Sequence, residues 1–303
     1  MILASFDLPT LSEAVGLGAI YALMALGVGL VFGILRLVNF AYGQLVMAGA
    51  YTLAFTSSWA VWQSVATCLA VVVALSLLMD LVVFRPLRGQ SPAVMLVTTF
   101  AIAFMLQAIA LIVDLRNNTL GEIVFSPIGT LNDTVSIGGV DVRKVTIVAV
   151  GVALGALIVL GFILAKTRIG LHTRAAASDF TTARLLGVRA NRVITFAVVV
   201  SGLLAGGVAV LMVVSQPLVT PDFALHDTII VLVGVVVGGL DRLWTATLGG
   251  FLIGFASGLI NGLLPTNDTV YLPSVLFGLV IVVLILRPAG LFVWGRRARV
   301  ERV

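Results

Sequence analysis

Few residues in this sequence have the types and spacing that catalysis or metal binding requires. Cys68 is the only cysteine, and the only histidines, His172 and His226, lie far apart in the chain. No cluster of thiolates or imidazoles has metal-ligand spacing. The phosphate-binding motif G-x-x-x-x-G-K-[ST] and the hydrolase motifs H-E-x-x-H and G-x-S-x-G are also absent. We therefore predict no catalytic residue, metal or cofactor, and a chain that is not an enzyme and does not bind ATP itself.

Polar residues inside apolar stretches are the other candidates for function. Buried polar side chains in a membrane need partners, and they often mark a substrate path. The candidates for a translocation path are Asn39, Tyr42, Gln44, Gln107, Ser201 and Asn261. Hydrogen bonding between neighbouring helices explains a lone serine or glutamine equally well. No acidic residue is predicted at the middle of a span, which argues against a proton- or sodium-coupled carrier. Asp80 lies near the inner end of a predicted helix, close to Arg85, so an ion pair between them is expected.

The composition indicates the environment in which these residues lie. Of the 303 residues, 60% are hydrophobic and only 10% are charged, whereas a soluble domain is about half apolar and roughly a quarter charged. This balance excludes a soluble enzyme, a nucleic-acid-binding protein, a disordered protein and a secreted disulfide-rich domain. The apolar runs are long and continuous, so helices are predicted rather than the alternating strands of a membrane barrel.

A helix of about 20 apolar residues crosses a bilayer, and nine segments of the sequence approach that length. They are Glu13–Leu35, Leu37–Ser57, Trp59–Phe84, Ser91–Val113, Val145–Ala165, Val193–Val214, His226–Gly239, Trp244–Leu264 and Tyr271–Leu286. Leu37–Ser57 is a weaker prediction because it contains two amides, and His226–Gly239 is too short to cross unless it extends or breaks. The expected fold is an all-α polytopic membrane bundle of eight or nine spans, with residues 1–303 forming a single transmembrane domain.

The basic residues are distributed asymmetrically in this topology. All except Arg116, Arg143 and Lys144 fall on one side, and the loop 166–192 is especially rich in them. Because cytoplasmic loops carry excess Lys and Arg, we predict a multi-pass membrane protein with its N-terminus outside and its C-terminus inside. The loop 166–192 is then cytoplasmic and 114–144 is extracytoplasmic. The first apolar run lacks a preceding basic region, so it is expected to stay in the mature protein.

Two local patterns suggest contacts with other helices or proteins. Glycines recur every four residues on one predicted helix face, at Gly250, Gly254, Gly258 and Gly262. Such a face favours close packing of helices, here within the chain rather than between subunits. In the basic loop, Thr173–Leu186 is predicted to be helical, with Gly187 as its stop. That helix suits docking into a groove of another protein, or lying on anionic lipid headgroups.

Four ordered motifs resemble one known family. Arg174–Asp179, followed by Ala183–Val188, resembles the coupling loop of branched-chain amino acid ABC transporter permeases. Leu37–Tyr51 is similar to the signature of the second helix of that family, and Gly238–Gly254 to its late glycine pattern. Arg287–Phe292 matches near the C-terminal end. The length resembles the smaller of the two permease types in these transporters.

The resemblance implies a membrane permease subunit of an ATP-driven importer for branched-chain or related amino acids, in the cell (inner) membrane. The partners it implies are a second permease subunit in a hetero- or homodimer, two cytoplasmic ATP-binding subunits, an extracytoplasmic substrate-binding protein and membrane lipid, with no nucleic acid. The residues that the resemblance assigns to the ATPase coupling loop are Arg174, Ala175, Ala176, Ala177, Ser178, Asp179, Leu186 and Gly187.

The chain departs from the family pattern in two places. The family often has His and an acidic residue where this chain has Tyr42 and Gln44, and Glu where this chain has Ser178. The first departure leaves open a permease for urea or short-chain amides of the same family. A facilitator that works without nucleotide is a further alternative, because the lack of a carboxylate at mid-span argues against coupled carriers but not against a facilitator.

Overall fold

The computed structural model describes residues 8–35, 39–87, 90–117, 119, 121–123, 127–137, 140–178, 180–187, 189–239, 242–263 and 271–287. The helices are α1 (Leu8–Leu35), α2 (Tyr42–Phe55), α3 (Val61–Met79), α4 (Pro92–Asn117), α5 (Lys144–Lys166), α6 (Arg168–Ser178), α7 (Phe180–Leu185), α8 (Ala190–Ser215), α9 (Leu225–Gly238), α10 (Leu243–Leu263) and α11 (Leu272–Leu286). A π-helix over Asp80–Phe84 continues α3, and Pro127–Asn132 forms a 3-10 helix.

The strands are short and lie outside the apolar helices. They are β1 (Glu122–Ile123), β2 (Thr134–Ile137), β3 (Val140–Arg143) and β4 (Leu218–Val219). β2 and β3 form an antiparallel hairpin, while β1 pairs with β4. The predicted loop 114–144 therefore begins within the last turn of α4 and contains three of these strands.

The all-α membrane architecture is confirmed. In the part of the chain that is described, six helices are long and apolar enough to cross a membrane: α1, α3 with its π-helix, α4, α5, α8 and α10. α9 and α11 are apolar but shorter, and α2 has only 14 residues. Each of the nine predicted segments overlaps one of these helices. The two segments predicted most weakly, Leu37–Ser57 and His226–Gly239, correspond to the short helices α2 and α9.

Helix α1 is the centre of the bundle, and its contact with α10 depends on glycine. A Cβ atom placed on Gly258 would lie 2.5 Å from the Cα atom of Ala14, and one on Gly254 would lie 2.9 Å from the Cα atom of Gly18. Gly262 and Gly250 meet α1 in the same way, near its start and beyond its middle. The four-residue glycine pattern thus lies along α1 within the chain, and α10 runs antiparallel to α1.

The other neighbours of α1 also have defined directions. Ser201 of α8 donates a hydrogen bond to the carbonyl oxygen of Gly27, 3.0 Å away, and Gly207 lies near Leu23. α8 therefore runs antiparallel to α1. The outer helices α4, α5 and α11 expose apolar side chains, which is expected of a lipid-facing surface. Examples are Val97 (64% exposed), Ile158 (69%) and Ile285 (74%).

Two cavities mark the two ends of the bundle. One, of about 150 Å³, lies where α1 and α5 end and α10 begins, and it is closed by Thr173 and Arg174 of α6. We call this end the basic face, since Lys166 and Arg189 flank it in the chain. The other cavity, of about 190 Å³, lies at the opposite face between α1, α5, α8 and α10. Its lining includes Glu13 and Asn261.

The α1–α10 contact yields a prediction for stability. Gly258→Leu should lower the free energy of unfolding by about 1–3 kcal/mol, because the new side chain would overlap the backbone of α1. Thermal unfolding of the purified chain in detergent measures the effect as a fall in Tm. The matched control is Gly155→Leu on α5, where no heavy atom lies within 4 Å of the added Cβ. Equal Tm values for the two variants would contradict the packing assignment.

Candidate substrate pathway and coupling segment

The two short helices α2 and α9 begin next to each other. A Cβ atom on Gly43, in the first turn of α2, would lie 2.7 Å from the carbonyl oxygen of Ala224 and would also overlap the hydroxyl of Thr228. Only glycine allows this approach of the two helix starts. We call residues 42–44 and 224–228 the junction.

The junction lies at mid-depth in the bundle. Tyr21, at the middle of α1, donates a hydrogen bond of 2.5 Å from its hydroxyl to Oδ1 of Asp227, in the first turn of α9. The hydroxyl of Tyr42, at the start of α2, lies against Gly27, which also accepts the hydrogen bond of Ser201 from the middle of α8. Both short helices therefore start halfway through the long helices around them.

From the junction, α2 and α9 run to opposite faces. α2 runs parallel to α8, since Gly49 lies against Ala209 and Tyr42 lies at the level of Ser201. α9 runs antiparallel to α10, with Gly238 beside Thr245. Since α8 and α10 are both antiparallel to α1, α2 heads for the face opposite the basic face and α9 heads for the basic face. The positive ends of two helix dipoles thus meet inside the bundle.

Several buried polar atoms at the start of α2 lack a partner. Gln44 is 1% exposed, and both its amide nitrogen and its amide oxygen have no hydrogen-bond partner among the described residues; the same holds for the hydroxyl of Tyr42. Asn39 is different, because its side-chain oxygen accepts a hydrogen bond from the backbone N–H of Ala41 at 3.1 Å. An unsatisfied buried polar group costs about 1–3 kcal/mol, so Gln44 reduces the stability of the isolated chain.

The structure brings together only some of the predicted pathway residues. Tyr42 and Ser201 meet at Gly27, and Gln44 lies in the same helix turn as Tyr42. The Ser201 hydrogen bond is also the helix–helix contact that the alternative interpretation expected. Gln107 is half-buried on α4, which packs against α2. Asn261 is exposed in the last turn of α10, where it lines the cavity at the opposite face.

Asp227 and Tyr21 lie at mid-depth, and neither was predicted from the sequence as a functional residue. The sequence indicated no acidic residue at mid-span, but Asp227 lies there, hydrogen-bonded to Tyr21. That expectation was wrong because α9 starts inside the bundle instead of at its surface. The signal available in the sequence was the shortness of the apolar segment that contains Asp227, which indicated a broken or partial span.

A second acidic residue behaves as expected. Asp80 is fully buried, and its Oδ2 atom lies 3.2 Å from Nε of Arg85, which confirms the predicted ion pair. The hydroxyl of Thr195 donates a hydrogen bond of 2.8 Å to the same carboxylate oxygen. This group therefore ties the π-helical end of α3 to the start of α8 at the basic face.

The predicted coupling loop is helical but divided into two helices, α6 and α7. We call these two helices, with the turn at Leu186 and Gly187, the coupling segment. Instead of one helix over Thr173–Leu186, α6 begins at Arg168 and α7 ends at Leu185, and Asp179 lies between them, outside the described residues. Ser178 ends α6. Leu186 and Gly187 form a turn in which Gly187 has φ +87°, a value that favours glycine and is typical of a helix stop.

The coupling segment has one buried side and one exposed tip. Ala176 is 3% exposed and belongs to the main hydrophobic core, and Ala175 and Ala177 beside it are half-buried, while Arg174 is exposed. Gly170 lies directly against the backbone of Ile163 and Leu164, so α6 folds back tightly on the end of α5. At the other end, Leu185 is 83% exposed and Leu186 is 80% exposed. A rigid apolar tip at the basic face is the kind of surface that binds a groove.

Gln44 yields a prediction that needs only the purified chain. Gln44→Leu should raise the Tm by several degrees, because it replaces an amide that has no partner by an apolar group of similar size, a gain of about 1–3 kcal/mol. Gln107→Leu on α4 is the matched control and should change the Tm less. A lower Tm for Gln44→Leu than for the unmodified chain would show that the amide is satisfied.

Comparisons with known proteins agree with this architecture. Residues 10–285 match the family model described as the permease component of the branched-chain amino acid transport system. The chain is 28% identical to the high-affinity branched-chain amino acid transport system permease protein BraD of Pseudomonas aeruginosa and 24% identical to LivH of Escherichia coli K12, each alignment covering 98% of both chains.

An archaeal relative matches in the same way. The probable branched-chain amino acid transport permease protein LivH of Methanocaldococcus jannaschii is 27% identical, over 89% of this chain and 87% of the relative. No solved structure matches. The match of a family model to almost the whole chain shows that this protein belongs to the family of branched-chain amino acid transport permease components.

Proposed function

We propose that the chain is the membrane permease subunit of an ATP-driven importer for branched-chain amino acids. In this proposal it forms the translocation pathway and is coupled to separate cytoplasmic ATP-binding subunits. Beyond family membership, the observation that carries the proposal is the coupling segment, α6 and α7 with the turn at Leu186 and Gly187. It is anchored in the core at Ala176 and presents an apolar tip at the basic face.

The basic face is cytoplasmic in this proposal. Lys166, Arg168, Arg174 and Arg189 lie on or beside the coupling segment, and cytoplasmic segments carry such an excess of positive charge. The described chain starts at the opposite face in α1, so α1 begins outside in this proposal, and the basic residues that follow α11 in the sequence favour a C-terminus inside. The proposed location is the cell (inner) membrane, which the chain crosses several times, with the hairpin of β2 and β3 on the extracytoplasmic side.

The contacts of α6 explain how force could reach the pathway. α6 is joined to α5 through a single residue, Thr167, and it packs against α1, α5 and α8. A rigid element held by three helices transmits a displacement to all of them. Movement of the tip at Leu186 would therefore shift the basic-face ends of α1 and α8, the two helices that hold Gly27 and Ser201 beside the junction.

The same geometry suggests where partners bind. An ATP-binding subunit would receive the apolar tip of the coupling segment in a groove, with two such subunits serving two permease subunits. A second permease subunit, identical or different, would complete the pathway. An extracytoplasmic binding protein would deliver substrate to the face that holds the cavity with Glu13 and Arg143, whose side chains lie 3.5 Å apart.

The coupling segment can be tested by substitution in the assembled transporter. Leu186→Ala and Gly187→Pro should each lower leucine uptake by about tenfold or more. The first removes part of the docking tip, and the second cannot adopt the positive φ of Gly187. Uptake of radiolabelled leucine and co-purification of the ATP-binding subunits are the measurements, and Asp179→Arg should act in the same way.

The matched control is Leu286→Ala, which removes an equally exposed leucine (75% exposed) at the end of α11. It should leave uptake and subunit binding unchanged. Normal uptake in both Leu186→Ala and Gly187→Pro, with each protein present in the membrane at the usual level, would refute the coupling assignment.

The substrate alternative rests on the junction. Tyr42 and Gln44 are neutral, and an unpartnered amide can bind another amide through paired hydrogen bonds, which favours urea or short-chain amides. An excess of unlabelled urea or acetamide should not reduce uptake of radiolabelled leucine if branched-chain amino acids are the substrate.

The second alternative is a facilitator, which would move leucine in liposomes that contain only this chain and no nucleotide.

A further inference from the structure

We propose that the junction is a binding site for the main-chain groups of a zwitterionic amino acid. Asp227 binds the ammonium group, and the N-terminal turn of α2, with the amide of Gln44, binds the carboxylate. This inference rests on the proposed function and specifies the site at which the substrate pauses in the membrane.

The carboxyl group of Asp227 is the first observation. It lies at mid-depth, is only half-buried, and accepts a hydrogen bond from Tyr21. None of the ion pairs found among the described residues includes it. An acidic residue within a membrane protein is costly and is retained where it pairs with a cation or faces a substrate path. A substrate ammonium group would supply the missing positive charge.

The start of α2 is the second observation, and it is independent of the first. A helix N-terminus carries a partial positive charge, and half-helices with such ends bind anionic substrate groups in transporters. In α2 the backbone N–H groups of Tyr42 and Gln44 donate to the carbonyl oxygens of Asn39 and Ala41, so a carboxylate would be attracted by the helix dipole and bound by a side chain. Helical side chains lean toward the N-terminus of their helix. Gln44 lies in the first turn of α2, within the junction, and its unpartnered –NH₂ can donate to a carboxylate there.

The glycine contact brings the chain segments that carry these two groups together. Gly43 precedes Gln44 and touches Thr228, which follows Asp227 in the chain. The ammonium and carboxylate groups of an amino acid are attached to one carbon atom, so a site for both needs opposite charges close together. The negative group on α9 and the positive end of α2 meet this requirement at one level of the bundle.

The junction also opens to a surface that differs from the lipid-facing one. His226, beside Asp227, is exposed at the same depth, whereas α5 and α11 expose isoleucines such as Ile158 and Ile285. The acidic side chain of Asp227 and the polar side chain of His226 at mid-depth favour a water-filled path over contact with lipid. Substrate could therefore reach Asp227 from that side.

The test separates recognition of charge from a structural hydrogen bond. In proteoliposomes containing the assembled transporter, Asp227→Asn should lower ATP-driven leucine transport by about tenfold or more, because it removes the charge. Asn can still accept the hydrogen bond of Tyr21. Tyr21→Phe removes that hydrogen bond and keeps the carboxylate, so its loss should stay within about threefold. A structural role for Asp227 predicts the reverse order of the two variants and would overturn the proposal.

Two further variants guard against misfolding. Asp227→Glu should recover most of the transport lost in Asp227→Asn, and Gln44→Leu should lower transport while its Tm stays at or above that of the unmodified chain. Asp222→Asn, at an exposed carboxyl close to the junction in sequence, is the control and should transport normally. Transport by Asp227→Asn equal to that of the unmodified complex refutes the site alone. Failure of the unmodified complex to transport leucine refutes the proposed function.

Discussion

The absence of water in the hydrocarbon core is the constraint on which this structure depends. Every backbone polar group there must find a partner in the protein, so chains cross as helices and helix ends at mid-depth are exceptional. α2 and α9 are such exceptions, and their N-terminal ends lie next to each other. Gly43 permits the contact with Ala224 and Thr228. In the proposed site, these helix starts place charge where a substrate can use it.

Close packing of α1 and α10 makes that arrangement possible. The glycines of α10 let it lie directly on the backbone of α1, and α10 in turn positions α9 through the contact of Gly238 with Thr245. Tyr21 then reaches Asp227 from the middle of α1. The spacing of the glycines on α10 therefore determines that Tyr21 of α1 faces the start of α9.

The junction and the coupling segment are mechanically connected through the same central helix. α1 holds Gly27 beside Tyr42 and ends above the cavity that Thr173 and Arg174 close at the basic face. The buried ion pair of Asp80 and Arg85, with Thr195, links α3 to α8 at that same end. A displacement applied to α6 thus has a packed route to mid-depth through α1 and α8.

The sequence alone determined the membrane environment, the approximate position of each apolar helix, the glycine face of α10 and the pairing of Asp80 with Arg85. These properties depend on composition and on residues a few positions apart, and α-helical geometry converts them directly into structure. Only the tertiary structure decided that α2 and α9 start at mid-depth, that Asp227 meets Tyr21, and that Asn261 lies at the cavity of the opposite face. Tyr21 and Asp227 are 206 residues apart, and a contact over that separation depends on how α1, α9 and α10 pack, which no local pattern specifies.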